Sequence, residues 1–194
     1  MRIKQQTLKE KISFSGKGLH TGLLVNMSVL PAEANHGIKF CRMDLEGKPV
    51  VEAIADNVRD TSRGTTIEKG AAKVATIEHI MAALFGLGVD NATIEIDAPE
   101  VPIMDGSARE YVQEIERVGV IEQKAERVFF EIREKINYKK KKKGIEIAIY
   151  PDQDFSISTL IDYNSKVLGC QYANYKPSSS FAQEIAPCRT FVFL

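Results

Sequence analysis

The chain has 194 residues, 44% hydrophobic and 27% charged, and its 26 Lys+Arg balance its 26 Asp+Glu to a formal net charge of zero. That balance excludes a protein that grips nucleic acid through bulk charge, and the composition is too apolar for disorder. No apolar run reaches the ~18 residues that span a bilayer, and the opening MRIKQQTLKEK lacks the apolar core of a secretory signal.

In chain order, GLLVNMSVL (22–30), GIKFCRM (37–43) and Val50–Ile54 predict strands. The polar stretch 61–75 predicts a small hairpin turning at Glu68-Lys69-Gly70. Ile77, Ile80, Met81, Leu84 and Leu87 recur at helical spacing, so a helix is expected over 76–87, with Thr76 as N-cap and Gly86 or Gly88 at its end. NATIEID alternates as a half-buried strand. In APEVPIMDGSA the prolines hold extended backbone, Asp105-Gly106 turns, and Ser107 is placed to cap a second helix that Gly119 stops.

A second unit begins near Arg127, with strand signals at RVFFEI, GIEIAIY, FSISTLIDY and CRTFVFL and a short helix over SSSFAQEIA. Leu8–Phe14 (LKEKISF) is echoed by Ile132–Tyr138 (IREKINY), which points to two related domains, 1–122 and 127–194. Shifted by the echo, the second copy's helices would fall beyond Leu194. The chain therefore reads as an amino-terminal part of a longer protein, with a sheet face left uncovered. Cys41, Cys170 and Cys188 form no CxxC pair and are expected to be reduced, mostly buried thiols of a cytosolic protein.

Five features could carry chemistry. Glu78-His79 opens the first helix, where an imidazole can bind a metal and a neighbouring carboxylate can take a proton from water. The same Glu also suits the helix dipole, and a lone Glu-His pair is a weaker signal than HExxH. Gly16–Gly22 (GKGLHTG) is a tight loop presenting His20, either to a ligand or to solvent. Pro102–Ser107 is explained by turn and capping chemistry. Lys139–Lys143 is either an anion contact or a solvated hairpin tip. Arg189-Thr190-Phe191 could line a site.

Taken together, GKGLHTG (16–22), VATIEHIMAALFGLGVDNATIEID (74–97), APEVPIMDGSA (98–108) and CRTF (188–191) resemble, in order, the UDP-3-O-acyl-N-acetylglucosamine deacetylases, the zinc amidases that commit the lipid A pathway of Gram-negative bacteria. The resemblance is specific over residues 1–120, thin from 127 to 185, and sharp again at the end. It implies an α+β fold of two similar sheet-and-helix domains with the active site between them, the second domain cut short here, and a small insert near 61–75 in the first. It also implies zinc as cofactor and a UDP-linked acylated glucosamine as substrate. By position, the metal ligand is His79 and the general base is Glu78. Thr190 is the oxyanion donor, Phe191 lies along the substrate, and His20 stands at the edge of the site.

Such chemistry suits amide hydrolysis, because zinc acidifies water and polarises the acetamide carbonyl. The family's remaining ligands are a His and an Asp four residues apart, with a catalytic His later. No histidine follows His79 in this chain, so these are expected beyond Leu194, and the 194 residues alone are expected to be inactive. Gly64 stands where some relatives carry cysteine, without consequence for catalysis. A cytoplasmic location with no nucleic-acid partner is expected from the thiols and the charge balance, and peripheral membrane proximity would suit an acylated substrate. A different class, a non-catalytic α+β module that binds an anionic ligand through the Gly16–Gly22 loop and the lysine run, stays open at this point.

Overall fold

The computed structural model describes residues 3–176 and 178–190. The chain divides into two compact units, one of Met1–Arg127 with Phe181–Leu194 and one of Val128–Ser180.

The elements of the first unit are β1 (Lys4–Leu8), β2 (Ile12–Lys17), β3 (Leu24–Pro31), β4 (Ile38–Arg42), β5 (Val50–Glu52), β6 (Val58–Asp60), β7 (Thr66–Lys69), β8 (Ala72–Val74), α1 (Glu78–Leu87), β9 (Ala92–Ile96), α2 (Arg109–Val118) and β10 (Val120–Glu126). The fold is α+β, as expected. Five strands form one sheet in the order β2-β3-β9-β4-β5. Register aligns Ile12, Val29, Ile94, Phe40 and Val51 in one row across it, and all five are buried. Period-two alternation puts this apolar row on one face. The helices supply the opposing layer through Ile80, Ala83 and Leu84 of α1 and Tyr111, Val112 and Ile115 of α2. The Phe14 ring meets the Tyr111 ring edge-on, with centroids 4.8 Å apart. Each fully buried side chain of this size contributes about 1.5–3 kcal/mol.

β6, β7 and β8 form a separate three-stranded sheet. The expected 61–75 hairpin is β7–β8, and β6 adds a third strand that the turn-rich sequence did not disclose. β1 pairs with β10 across more than a hundred residues, which carries the first unit to Arg127.

The helix boundaries separate two kinds of capping. At α2 the N-cap position is Ala108, and Ser107, one residue ahead of it, still accepts the Arg109 N–H on its hydroxyl at 3.1 Å. α1 differs. Thr76 lies outside the helix at φ +59°, and its hydroxyl goes to Glu100 instead of a helix N–H. α1 ends at Gly88 in the left-handed conformation, φ +71°, with the Val89 N–H bonded to Leu84 O at 2.8 Å. Gly88→Ala is expected to lower stability by about 1 kcal/mol, the cost of a side chain in left-handed backbone, read as a shift of the denaturation midpoint with an unchanged slope.

In the second unit two antiparallel hairpins form, β11 (Ile136–Lys140) with β12 (Ile145–Ile149) and β13 (Ile157–Asp162) with β14 (Cys170–Tyr175). β2 opens at Ile12 and β11 opens at Ile136, the two positions that the echo aligned. The lysine run is the tip of β11–β12, with Lys139 paired to Glu146 at 2.8 Å. Ile147, Leu160 and Tyr172 are among several apolar side chains left exposed on these hairpins.

Three expectations need correction here. Residues 127–132 form no strand. The domain drawn as 127–194 loses its last segment. A π-helical turn at Phe181–Ile185 packs with the first unit, because Phe181 lies where Gly86 of α1 has no side chain and the Ala108 N–H bonds to Ala186 O at 3.0 Å. The three cysteines are unpaired, but Cys170 and Cys188 are exposed, not buried. Among the described residues no helix is long and apolar enough to cross a membrane.

Candidate active site

An extended segment, residues 98–103, brings the two leading motifs together. The Ala75 N–H bonds to Pro99 O at 2.9 Å, the Val101 N–H to Ala75 O at 3.0 Å and the Ile103 N–H to Lys17 O at 2.9 Å. The segment therefore runs between the end of β2, where the His20 loop departs, and the entry to α1, where Glu78 and His79 sit.

Glu78 and His79 are both half-buried. Glu78 Oε2 accepts the Thr65 N–H at 2.9 Å. Its other oxygen faces Gly64, where a Cβ would stand 3.0 Å away. One edge of the carboxylate is thus anchored and the other looks onto a position without a side chain. The His79 ring has no hydrogen-bond or ion-pair partner among the described residues. His20 is exposed, and its Nε2 donates to Arg63 O at 3.1 Å. The loop 63–65 therefore touches both His20 and Glu78. That shared platform had no signal in the sequence beyond its turn-rich composition.

Thr190 is exposed, and its N–H donates to Gly106 O at 2.9 Å. Beside it, Arg189 Nη2 lies 3.4 Å from Asp105 Oδ2. The structure thus ties Thr190 to the 105–108 turn. Phe191 lies outside the described residues. Asp105 also accepts the Ser107 hydroxyl at 2.6 Å and Arg109 Nη2 at 2.7 Å. The Ser107 hydroxyl first, with the Ser107 N–H and the two arginines adding to it, holds the Asp105 carboxyl below its usual range despite partial burial. A carboxyl with a lowered folded pKa stabilises its contacts above its unfolded value, about 3.9, and releases them as pH falls through the folded value. Hydrogen exchange at the Thr190 N–H, corrected for intrinsic rate, should therefore accelerate on acidification below about pH 4. Asp105→Asn should abolish that pH dependence.

A zinc centre takes about three protein ligands. Among the described residues no group of three His, Cys, Asp or Glu side chains is placed to hold a metal ion. At the start of α1 the donor on offer is His79, with a carboxylate next to it. That donor set fits a share of such a centre and not the whole.

The sequence reading missed Glu100, a fully buried carboxylate joined to both motifs. Its signal was a charged residue set among apolar neighbours in Ala98-Pro99-Glu100-Val101-Pro102.

The family model for UDP-3-O-acyl N-acetylglycosamine deacetylase (LpxC) matches residues 5–194. The chain is 49% identical over 192 residues to the bifunctional enzyme LpxC/FabZ of Bacteroides thetaiotaomicron, covering 99% of this chain and 42% of that protein. Against the bifunctional enzyme LpxC/FabZ of Porphyromonas gingivalis it is 49% identical over 191 residues, with coverage of 98% and 41%. Against the UDP-3-O-acyl-N-acetylglucosamine deacetylase of Methylococcus capsulatus it is 43% identical over 195 residues, with coverage of 99% and 64%. The chain spans less than two thirds of the length of each of these relatives. With almost its entire length matched by the family model, the chain belongs to the UDP-3-O-acyl N-acetylglycosamine deacetylase family.

Proposed function

We propose that the intact protein carrying this chain hydrolyses the acetamide of a UDP-3-O-(3-hydroxyacyl)-N-acetylglucosamine, releasing acetate in lipid A biosynthesis in the cytoplasm. The observation that carries this reading is the Glu78-His79 pair at the start of α1, with an anchored carboxylate and an imidazole without a partner among the described residues, in a chain of this family. His79 supplies one ligand to a zinc ion, and the remaining donors come from outside these residues. Bound zinc supplies Lewis acidity toward water and the amide carbonyl. Glu78 accepts the proton of the attacking water. The Thr190 hydroxyl donates to the amide oxygen as it gains negative charge. His20 and Phe191 border the substrate.

The test is acetate release from the UDP-sugar by the intact protein, before and after chelation. Activity lost on metal removal and restored by zinc is the expected result. Absence of acetate release from a folded, zinc-supplied protein would refute the reading. A second, compatible reading is that the intact protein is bifunctional. The two relatives named LpxC/FabZ are 49% identical to this chain, and the Methylococcus protein named for the deacetylase alone is 43% identical. The coding sequence beyond codon 194 decides that point.

A further inference from the structure

Glu100 is a carboxylate that the reaction above leaves unused, and its surroundings are built around it. It has no exposed surface. Its partners are neutral donors drawn from two separate loops. Oε1 accepts the His20 N–H at 3.0 Å and the Thr76 hydroxyl at 2.9 Å. Oε2 accepts the Thr21 N–H and the Thr21 hydroxyl, both at 2.8 Å, with the His20 N–H at 3.1 Å. A buried charge persists only where such donors satisfy it. Burial pushes the Glu100 pKa up, yet the His20, Thr21 and Thr76 donations outweigh it and leave the group below its usual range.

Two further features show that the space is reserved for this carboxylate. A Cβ at Gly18 would run into the Thr21 hydroxyl and would lie 2.5 Å from Glu100 Oε2, the two groups that are bonded to each other, so glycine is required there. Thr76, a β-branched residue buried at φ +59°, holds backbone that such residues avoid. Conformations of that kind persist where surrounding contacts impose them, and here the bond to Oε1 joins the backbone bonds of Ala75 and Ile77 on either side. Two residues later the chain enters the first turn of α1 with Glu78 and His79.

We propose that Glu100 is a positioning residue that locks the His20 loop and the entry to α1 into one arrangement, so that His20, Glu78 and His79 are presented together. This rests on the site reading given above, and it concerns geometry, not proton transfer. The lock has three separable parts: the carboxylate, the Gly18 void and the Thr76 hydroxyl.

The experiment uses the intact protein, with steady-state acetate release and backbone amide NMR read in parallel. Glu100→Gln places an amide N–H₂ against backbone donors. It is expected to lower kcat by 10- to 50-fold with KM within threefold, and to shift the amide signals of His20–Thr21 and Glu78–His79 together. Gly18→Ala should reproduce both effects without touching the charge. Thr76→Ser keeps the hydroxyl and should stay within threefold of the parent, while the isosteric Thr76→Val should lose fivefold or more. A folded Glu100→Gln protein with parental kcat, or amide shifts confined to the His20 loop, overturns the proposal. If Glu100→Gln does not fold, the Thr76 pair decides: equal activity of the Ser and Val variants overturns it, and a split upholds it. If the parent itself releases no acetate, the deacetylase reading fails separately, and joint or unlinked movement of the two amide groups still upholds or overturns the positioning role.

Discussion

Glu78→Ala in the intact protein is expected to lower turnover by about 10²- to 10⁴-fold, the usual contribution of a positioned general base, while zinc content and fold are kept. The geometry explains both halves of that expectation. The carboxylate is tethered through Oε2 to the Thr65 N–H at 2.9 Å, so a base at this position would need little reorganisation. Oε1 stands over Gly64, where a Cβ would be 3.0 Å away, and glycine sets no side chain against it. The loss to stability is small by comparison. One hydrogen bond to a half-buried charged acceptor is removed, worth about 1.5–3 kcal/mol at most. The competing account makes Glu78 a simple complement to the helix dipole, which contributes about 0.3–1 kcal/mol at an exposed terminus and nothing to turnover. The two accounts separate in one pair of measurements. A base predicts a collapsed kcat with bound metal unchanged in elemental analysis. A dipole partner predicts a lowered melting temperature with kcat within threefold of the parent.

Much of this arrangement was legible in the residues. Alternation in NATIEID and the helical spacing of Ile77, Ile80, Leu84 and Leu87 disclosed the central strand and the first helix, because each buries a single apolar face. Ser107 was legible as a cap because its partner, the Arg109 N–H, is local. Thr76 obeyed the same local rule and failed it. Its hydroxyl is taken by Glu100, which lies 24 positions away in sequence, and local rules carry no information about a partner brought alongside by a segment distant in sequence. Glu100 carried only a faint signal, its apolar neighbours, for a related reason. Composition says that glutamates stay in water, and only the packing of residues 98–103 against Ala75 and the β2 end reveals the donors that permit burial. RVFFEI had strand composition but no ladder partner among the described residues, and a strand without a partner is not a strand. The Phe181–Ile185 turn was assigned by its position in the chain, whereas its location follows from a missing side chain at Gly86.

Thr190→Val is expected to reduce kcat by about 10²- to 10³-fold with little change in KM, the loss typical of one oxyanion donor, and Thr190→Ser is expected to restore most of it. Valine keeps the shape and removes only the hydroxyl, so the pair isolates donation from packing. The structure adds a condition on this residue that its sequence motif does not contain. Thr190 is exposed on irregular backbone, so its hydroxyl is only as well placed as its backbone. Three contacts fix that backbone to the first unit: the Thr190 N–H to Gly106 O at 2.9 Å, the Ala108 N–H to Ala186 O at 3.0 Å, and Arg189 on Asp105 at 3.4 Å. Upstream, the segment is seated by Phe181 over Gly86. Preorganised donors are effective because they do not move as charge develops, so loosening the seat should cost activity even with Thr190 intact. Gly86→Ala sets a methyl group against the Phe181 ring, and overpacking of this kind costs about 1–3 kcal/mol. It should therefore lower kcat in the same direction as Thr190→Val but by less, and the double variant should fall short of the product of the two single effects, because both act through the same hydroxyl. Full multiplicativity would mean that Gly86 and Thr190 act independently, and parental kcat in Thr190→Val would remove the hydroxyl from the reaction altogether.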